Sequence, residues 1–361
     1  MGKGVVNGLS TLKDIAELVG VSVSTVSRVI NNDTSRHVNP DTKIKVWNAA
    51  RELGYEPNES ARRLVRNQKE GPIMSKKIGC IVASTQLRDD HPYFSPILTG
   101  LNRKLVESGY SLAFIHTPEE VNTEMVLHQM IHNHYIDGLV IIGDEMDQAL
   151  LDYIKATSLA VVGISASGSG IPLVDYDRIS AAKAAVHHLI AQGHRKIGFV
   201  GGQGHTGELK SEERYQGYEF ALYEAGIPLD PTWIINTRWQ VDKSYECMTD
   251  LLEKHQGEAP TAMFAASDLL AIPAMRAVIE CNLRIPEDIA FIAMDNIDLA
   301  QYTSPPLSSV HVPKAEIGMV AAKALLDQLQ GESILTTKIL LPHEMILRQS
   351  SIFSRAGSPR P

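Results

Sequence analysis

The stretch Thr11-Leu12-Lys13-Asp14-Ile15-Ala16-Glu17-Leu18-Val19-Gly20-Val21-Ser22-Val23-Ser24-Thr25-Val26-Ser27-Arg28-Val29-Ile30 divides into two short helices around a tight turn. Thr11 is placed to cap the first helix, which runs through Leu12, Ile15, Ala16 and Val19, with Asp14 near its positive start. Gly20 tolerates the left-handed conformation that ends a helix. Ser22 then caps a second helix, Val23 to Ile30, with Val26 and Val29 facing inward. Two such helices about a glycine turn form a helix-turn-helix, whose second helix enters the DNA major groove by its start. That places Val23, Ser24 and Arg28 toward base edges and lets Thr25, Ser27 and Asn31 reach phosphates. An arginine here can pair bidentately with guanine O6 and N7, and a valine can contact a thymine methyl.

A third helix is expected after Asn39, with Pro40 at its first position and Gly54 at its end. Val46, Ala49, Ala50 and Leu53 recur at helical spacing and should face the first two helices. Next comes Pro57-Asn58-Glu59-Ser60-Ala61-Arg62-Arg63-Leu64, a segment capped by Asn58 and followed by polar linker to Lys77. So short a helix is marginal in water, because nucleation is costly. It reads as a switch that forms only when docked.

The run from Thr11 to Asn31, continued by Leu53-Gly54-Tyr55-Glu56-Pro57-Asn58 and Ala61-Arg62-Arg63-Leu64, resembles the headpiece and hinge of the lactose/galactose repressor (LacI/GalR) family. The resemblance covers nearly the whole chain. It implies that Val23, Ser24 and Arg28 read bases and that His37 contacts the backbone. It also implies that Asn58, Ala61 and Leu64 meet DNA in the hinge, with Leu64 wedged into the minor groove. Such a wedge kinks DNA at a cost offset by added contacts. Paired hinge helices require a homodimer, and a dimer reads a palindromic operator. Some relatives add a C-terminal leucine heptad that makes tetramers; none is present here.

Length and composition agree with this organisation. The chain has 361 residues, 44% of them hydrophobic, enough for two or three domains with large cores. Cys80, Cys247 and Cys281 have neither disulfide nor zinc spacing, and no cofactor is expected. No run of about 18 apolar residues suggests a membrane span, and Met1 to Ser10 has no secretory core. A cytoplasmic location is expected. The net charge of −8 hides a split: through Lys77 there are 13 basic against 8 acidic residues, and the remainder is strongly acidic. A basic arm can meet phosphates while an acidic body avoids nonspecific polyanions.

From Lys77 onward, strand-like runs (Ile78–Ala83, Leu112–His116, Leu139–Ile142, Val161–Ile164, then Ile197–Val200, Ile234–Asn236, Ala262–Ala265, Ile289–Ala293) alternate with amphipathic helices. This alternation predicts parallel sheets covered on both faces, in two sets and so two lobes. The expected fold is an all-α helix-turn-helix headpiece plus an α/β, two-lobed domain similar to periplasmic sugar-binding proteins. Expected boundaries are 1–56 for the headpiece, 57–77 for hinge and linker, and 78–350 for the body. Lobe one is expected over 78–173 and 307–335, and lobe two over 174–306 and 336–350. The crossovers are expected near Ile171-Pro172, Ser304-Pro305-Pro306-Leu307 and Thr336-Thr337. A tail at 351–361 reads as disordered.

Ligands of such sheets bind at the C-terminal strand ends. Sugar recognition needs carboxylates and arginine for hydroxyls, and an aromatic face for the ring. Asp295 and Asp268 follow apolar strands, Arg214 opens a helix, and Trp239 lies on a loop before one. Asp268 could alternatively serve only as a helix cap, and Trp239 only as packing. The resemblance puts these four at effector-contact positions, with Tyr93 and Phe94 lining the first lobe. Ser165 stands where relatives commonly carry Asp, and Val174-Asp175-Tyr176-Asp177 departs from a common Asp-Asn pair. Ser165 is smaller and neutral, which implies a roomier pocket or a different ligand. Similar patterns occur in the branch of the resembled family that senses galactosides, so the resemblance implies a galactoside.

Three other patterns compete. Gly202-Gln203-Gly204-His205-Thr206-Gly207 matches a dinucleotide fingerprint, but no acidic residue follows at the expected distance. His128, His132 and His134 lack the Glu of a zinc protease and read as a solvated helix face. Gly163-Ile164-Ser165-Ala166-Ser167 lacks the last glycine of a nucleophile elbow. The expected function is a sugar-controlled DNA-binding repressor, not an enzyme. The alternatives are a non-sugar corepressor on the same fold, or an unregulated sugar-binding protein.

Overall fold

The computed structural model describes residues 11–30, 38–53, 74–82, 91–122, 127, 130–131, 135–143, 148–166, 170–204, 206–255, 257–331 and 337–352. The chain divides into two compact units, Met1–Met74 and Ser75–Pro361.

In the first unit, α1 (Leu12–Val19) begins with a reciprocal cap in which Thr11 and Asp14 satisfy each other's backbone N–H. Gly20 closes it at φ 73°, in the left-handed region that favours glycine. The Ser22 hydroxyl accepts from the Thr25 N–H and so caps α2 (Val23–Ile30). The Asn39 side chain accepts from the Asp41 N–H at the start of α3 (Pro40–Glu52). Ile15, Ala16, Val26, Val29, Ile30, Val46, Ala49 and Ala50 form one small core.

The second unit holds two sheets. Lobe one contains β1 (Lys77–Val82), β2 (Ser111–His116), β3 (Gly138–Ile142), β4 (Ala160–Ile164), β5 (Leu173–Tyr176) and β11 (Lys338–Leu341). Lobe two contains β6 (Ile197–Gly201), β7 (Ile234–Asn236), β8 (Ala262–Ala265), β9 (Ala290–Asp295), β10 (Ser308–His311) and β12 (Glu344–Ile346). The orders β2-β1-β3-β4-β5-β11 and β7-β6-β8-β9-β10-β12 repeat one pattern. All described pairings are parallel except β10 with β12. The central strands are buried almost throughout, as sheets covered on both faces require.

Helices α4 (Phe94–Glu107), α5 (Pro118–Asn122) and α6 (Gln148–Ala156) follow lobe-one strands, and α11 (Lys314–Leu329) packs beside α4. Lobe two carries α7 (Arg178–Ala191), α8 (Glu213–Glu224), α9 (Val241–Lys254) and α10 (Asp268–Glu280). The α4–α11 crossing depends on two glycines. A Cβ at Gly100 would lie 2.0 Å from the Ala315 carbonyl, and one at Gly318 would lie 2.0 Å from that of Ile97.

The chain crosses between lobes after β5, after β10 and after β11. Each crossing therefore falls one strand later than the sequence breaks suggest. Residues 174–176 and 338–341 belong to the lobe-one sheet, and 308–311 to the lobe-two sheet. Polar or proline-bearing turns precede β5, β10 and β11, and although Pro313 and Pro342 also follow β10 and β11, those crossings lack the longer polar break that precedes each strand.

Candidate functional site

In α2, Val26, Val29 and Ile30 are buried, while Val23 and Ser24 are exposed and Thr25, Ser27 and Arg28 half-buried. Ser22 Oγ lies 2.8 Å from both Ser24 Oγ and Thr25 Oγ1, so the hydroxyls cluster at the helix start. The apolar spacing thus fixes one face inward and leaves a polar face with one cation outward. Asn31, His37, Asn58, Ala61 and Leu64 lie outside the described residues, as do His128, His132 and His134.

At the strand ends of lobe two, Asp295 terminates β9 at φ 98° and Asn296 follows at φ 47°. Such conformations cost a non-glycine residue about 1–3 kcal/mol each and persist only where surroundings impose them. Asp295 is 5% exposed, and its Oδ1 has no hydrogen-bond partner among the described residues. Burial pushes its pKa up to about 6, against the pull of Arg214, Lys314 and Arg178. The Lys314 ammonium donates to the carbonyls of Asp295, Val312 and Asn296, which holds the strained turn in place. Asp268 is fully buried, and one of its oxygens accepts from the Ile297 N–H at 2.7 Å. Burial and the nearby Asp295 hold its carboxyl well above the usual range. Ser267, and not Asp268, caps α10, with its hydroxyl accepting from Leu270 N–H.

Arg214 is placed by Glu212. One Glu212 oxygen accepts from Arg214 Nε at 2.7 Å, and the other caps α8 by accepting from the Tyr215 N–H at 2.9 Å. The guanidinium sits 4.4 Å over the Trp239 ring. Trp239 itself has φ 62°, donates from Nε1 to the Gln203 carbonyl at 2.8 Å, and lies against Gly202. A Cβ at Gly202 would stand 2.5 Å from the indole. The glycine-rich loop therefore admits a tryptophan.

Lobe one brings mainly hydroxyls and rings. Ser165 follows β4 at φ 53° and is buried beside the Tyr93 hydroxyl. Tyr93 meets Phe94 edge-on at 4.8 Å, and Phe94 is half-buried against Tyr93 and His91. Burial, followed by the Asp175 charge, raises the Tyr93 hydroxyl above its ordinary range. At the first crossing, Arg178 pairs with buried Asp175 at 3.0 Å and lies 3.6 Å from Glu213.

Tyr93, Ser165, Arg214, Trp239, Asp268 and Asp295 thus come to the facing strand ends, with Phe94 behind Tyr93. Sequence reasoning missed Glu212, Lys314 and Arg178, and marked Tyr176 only as a departure from a common Asp-Asn pair. Glu212, two residues before Arg214, was the most accessible signal. Lys314 makes its contacts through backbone carbonyls, which leave no trace in sequence.

These features define a DNA-binding regulator with a two-lobed body like that of a periplasmic binding protein. Residues 11–58 match the description of bacterial regulatory proteins of the lacI family, and residues 186–351 that of a periplasmic binding protein-like domain. The HTH-type transcriptional repressor PurR of Haemophilus influenzae strain PittEE is 32% identical over 350 residues, covering 95% of this chain and 98% of that one. PurR of Pasteurella multocida strain Pm70 is 31% identical over 345 residues, at the same coverage. Among solved structures, a complex of the transcriptional regulator CelR with cellobiose shows 28% identity and a TM-score of 0.68. It covers 94% of this chain and 99% of that one. The lac repressor dimer bound to operator and the anti-inducer ONPF shows 26% identity and a TM-score of 0.68, covering 96% and 100%. The chain belongs to the lacI family of bacterial regulatory proteins. It is a DNA-binding transcriptional repressor and not an enzyme.

Proposed function

We propose that the chain acts in the cytoplasm as a homodimer on a palindromic operator and that a small sugar between the lobes controls operator affinity. In this reading Val23, Ser24 and Arg28 read bases, Thr25, Ser27, Asn31 and His37 contact the backbone, and Asn58, Ala61 and Leu64 dock the hinge. Asp295, Asp268 and Arg214 grip sugar hydroxyls, Trp239 and Tyr93 face the ring, and Phe94 and Ser165 complete the first lobe's side. One observation carries the sugar reading: a strained, buried carboxylate with an unpartnered oxygen stands in the same set as an arginine stacked on an indole. Ionised carboxylate and guanidinium match pairs of hydroxyls as acceptor and donor. The cellobiose held by the related CelR supports the same chemistry. The two departures at Ser165 and Tyr176 keep a galactoside first among candidates.

A sugar that prefers one arrangement of the lobes shifts the population toward it, by no more than its differential affinity. Separated hinge segments would then lose their helix and the operator its wedge. The test is fluorescence anisotropy with a palindromic duplex selected from random sequence, at fixed salt. Galactose, lactose and cellobiose are titrated in turn, and at least one should change operator affinity by 10-fold or more (an effect of about 1.4 kcal/mol). A second reading, a purine acting as corepressor, is favoured by the PurR repressors among the relatives. Tight operator binding only on addition of hypoxanthine or guanine would replace the sugar reading with that one.

A further inference from the structure

Tyr176 ends β5 in the lobe-one sheet, where its register partner is Leu341 of β11. It is among the largest fully buried side chains, at 2% exposure, yet its hydroxyl makes no hydrogen bond among the described residues. A buried phenol normally finds a partner, because leaving the oxygen dry forfeits its hydration without return. The surroundings are not uniformly apolar. The charges of Arg214, Arg178 and Asp295 and the Tyr93 hydroxyl act on this phenol, and the Arg178 guanidinium lies 5.8 Å from its ring centre. Ser165 Oγ, Asp268 Oδ1 and Asp295 Oδ1 are likewise buried without a partner among the described residues; of these, the Asp295 charge is one that acts on the Tyr176 phenol, and Asp295 belongs to the opposite lobe.

We propose that Tyr176 is a specificity-determining residue of the inter-lobe site, its hydroxyl bonding from lobe one the same polar ligand that Asp295 Oδ1 bonds from lobe two. This deepens the effector reading above and rests on it. The ligand class follows from the two atoms. An ionised carboxylate accepts only, so the ligand presents a donor to Asp295. A phenol both donates and accepts, so the opposite edge carries a hydroxyl, carbonyl or ring nitrogen. A ligand apolar on either edge leaves one buried group unmatched, and sites of this kind reject such analogues strongly. Bridging both lobes also makes the bond available only when they are closed on the ligand, which is the differential contact a switch requires.

The experiment compares the full chain with Tyr176→Phe, which removes one oxygen and leaves the ring. Melting temperature is measured without additive, and binding of galactose, lactose, cellobiose, hypoxanthine and guanine is measured by calorimetry. The unliganded variant should melt at the wild-type temperature or above, because it sheds an unmatched hydroxyl. Affinity for whichever compound binds the wild type should fall about 10-fold or more, the size of one lost hydrogen bond in a closed site. A melting temperature several degrees lower would show the hydroxyl to be structural and overturn the proposal. Unchanged affinity with unchanged stability would overturn it equally. Loss of purine binding in Tyr176→Phe would sustain the role of Tyr176 while removing the sugar reading, so the two claims fail separately. If none of the five compounds binds the wild type, the sugar reading falls, and the melting comparison still decides whether the hydroxyl is structural.

Discussion

The two lobes share one strand order but not one chemistry. Lobe one presents Tyr93, Ser165 and Tyr176, neutral groups on a fully parallel sheet, and its buried charge, Asp175, is already paired with Arg178. Lobe two presents Asp268, Asp295 and Arg214, with Glu212 and Lys314 behind them. The neutral side needs little support, since a hydroxyl costs modestly to bury. The charged side needs an ion pair, a lysine across three carbonyls and an indole platform, because buried charges are tolerated only when matched. The lesson concerns where function is stored: the lobe that holds charge also holds most of the strained backbone, at Arg238, Trp239, Asp295 and Asn296.

That contrast can be broken, most severely at Glu212. Glu212→Gln removes the partner of Arg214 while leaving a weaker helix cap. Breaking a buried pair costs about 3–5 kcal/mol, so urea unfolding should show a loss of that order, and sugar binding should weaken with it. An unchanged midpoint would mean that Arg214 finds its placement elsewhere. Lys314→Met comes next, with an expected loss of about 1–3 kcal/mol as three carbonyls lose a charged donor. Lys314 also lowers the Asp295 pKa, so its removal should move the pH at which ligand binding is lost upward from about 6. A midpoint that stays put would contradict the contact between them. The smallest effect belongs to lobe one. Ser165→Ala should change stability by less than about 1 kcal/mol and weaken a hydroxylated ligand only severalfold. A drop as large as that at Asp295 would erase the contrast between lobes.

Much of this was legible before any coordinates. The caps at Thr11, Ser22 and Asn39 use short-range side-chain chemistry, and Gly20 needs its positive φ, so the headpiece reads from the residues themselves. The strand–helix alternation likewise announced two parallel sheets. The crossovers were misplaced by one strand because β5, β10 and β11 are only four residues long and their turn signals precede them. Asp295 was visible as a charge after an apolar run, and Arg214 as a cation at the opening of a helix. Lys314 was not, since it acts on backbone carbonyls across a crossing, and Tyr176 stood out only as a departure from a common pair, its unpartnered hydroxyl being a feature of the fold.

In the proposed function, Asp295 is kept charged and strained for a ligand, at the expense of the empty protein. Its folded pKa, about 6, lies above the ordinary 3.8, so protonation favours the folded state. That contribution is complete below about pH 4 and gone once pH has risen through about 6. Asp295→Asn imitates the neutral form. In denaturant unfolding of the unliganded chain, it should therefore stabilise at pH 7.5 by up to about 3 kcal/mol, with the gain shrinking at pH 5. The same variant should lose the sugar-dependent change in operator affinity. An Asp295→Asn chain that is less stable than wild type at pH 7.5, or that still responds to sugar, would contradict the account.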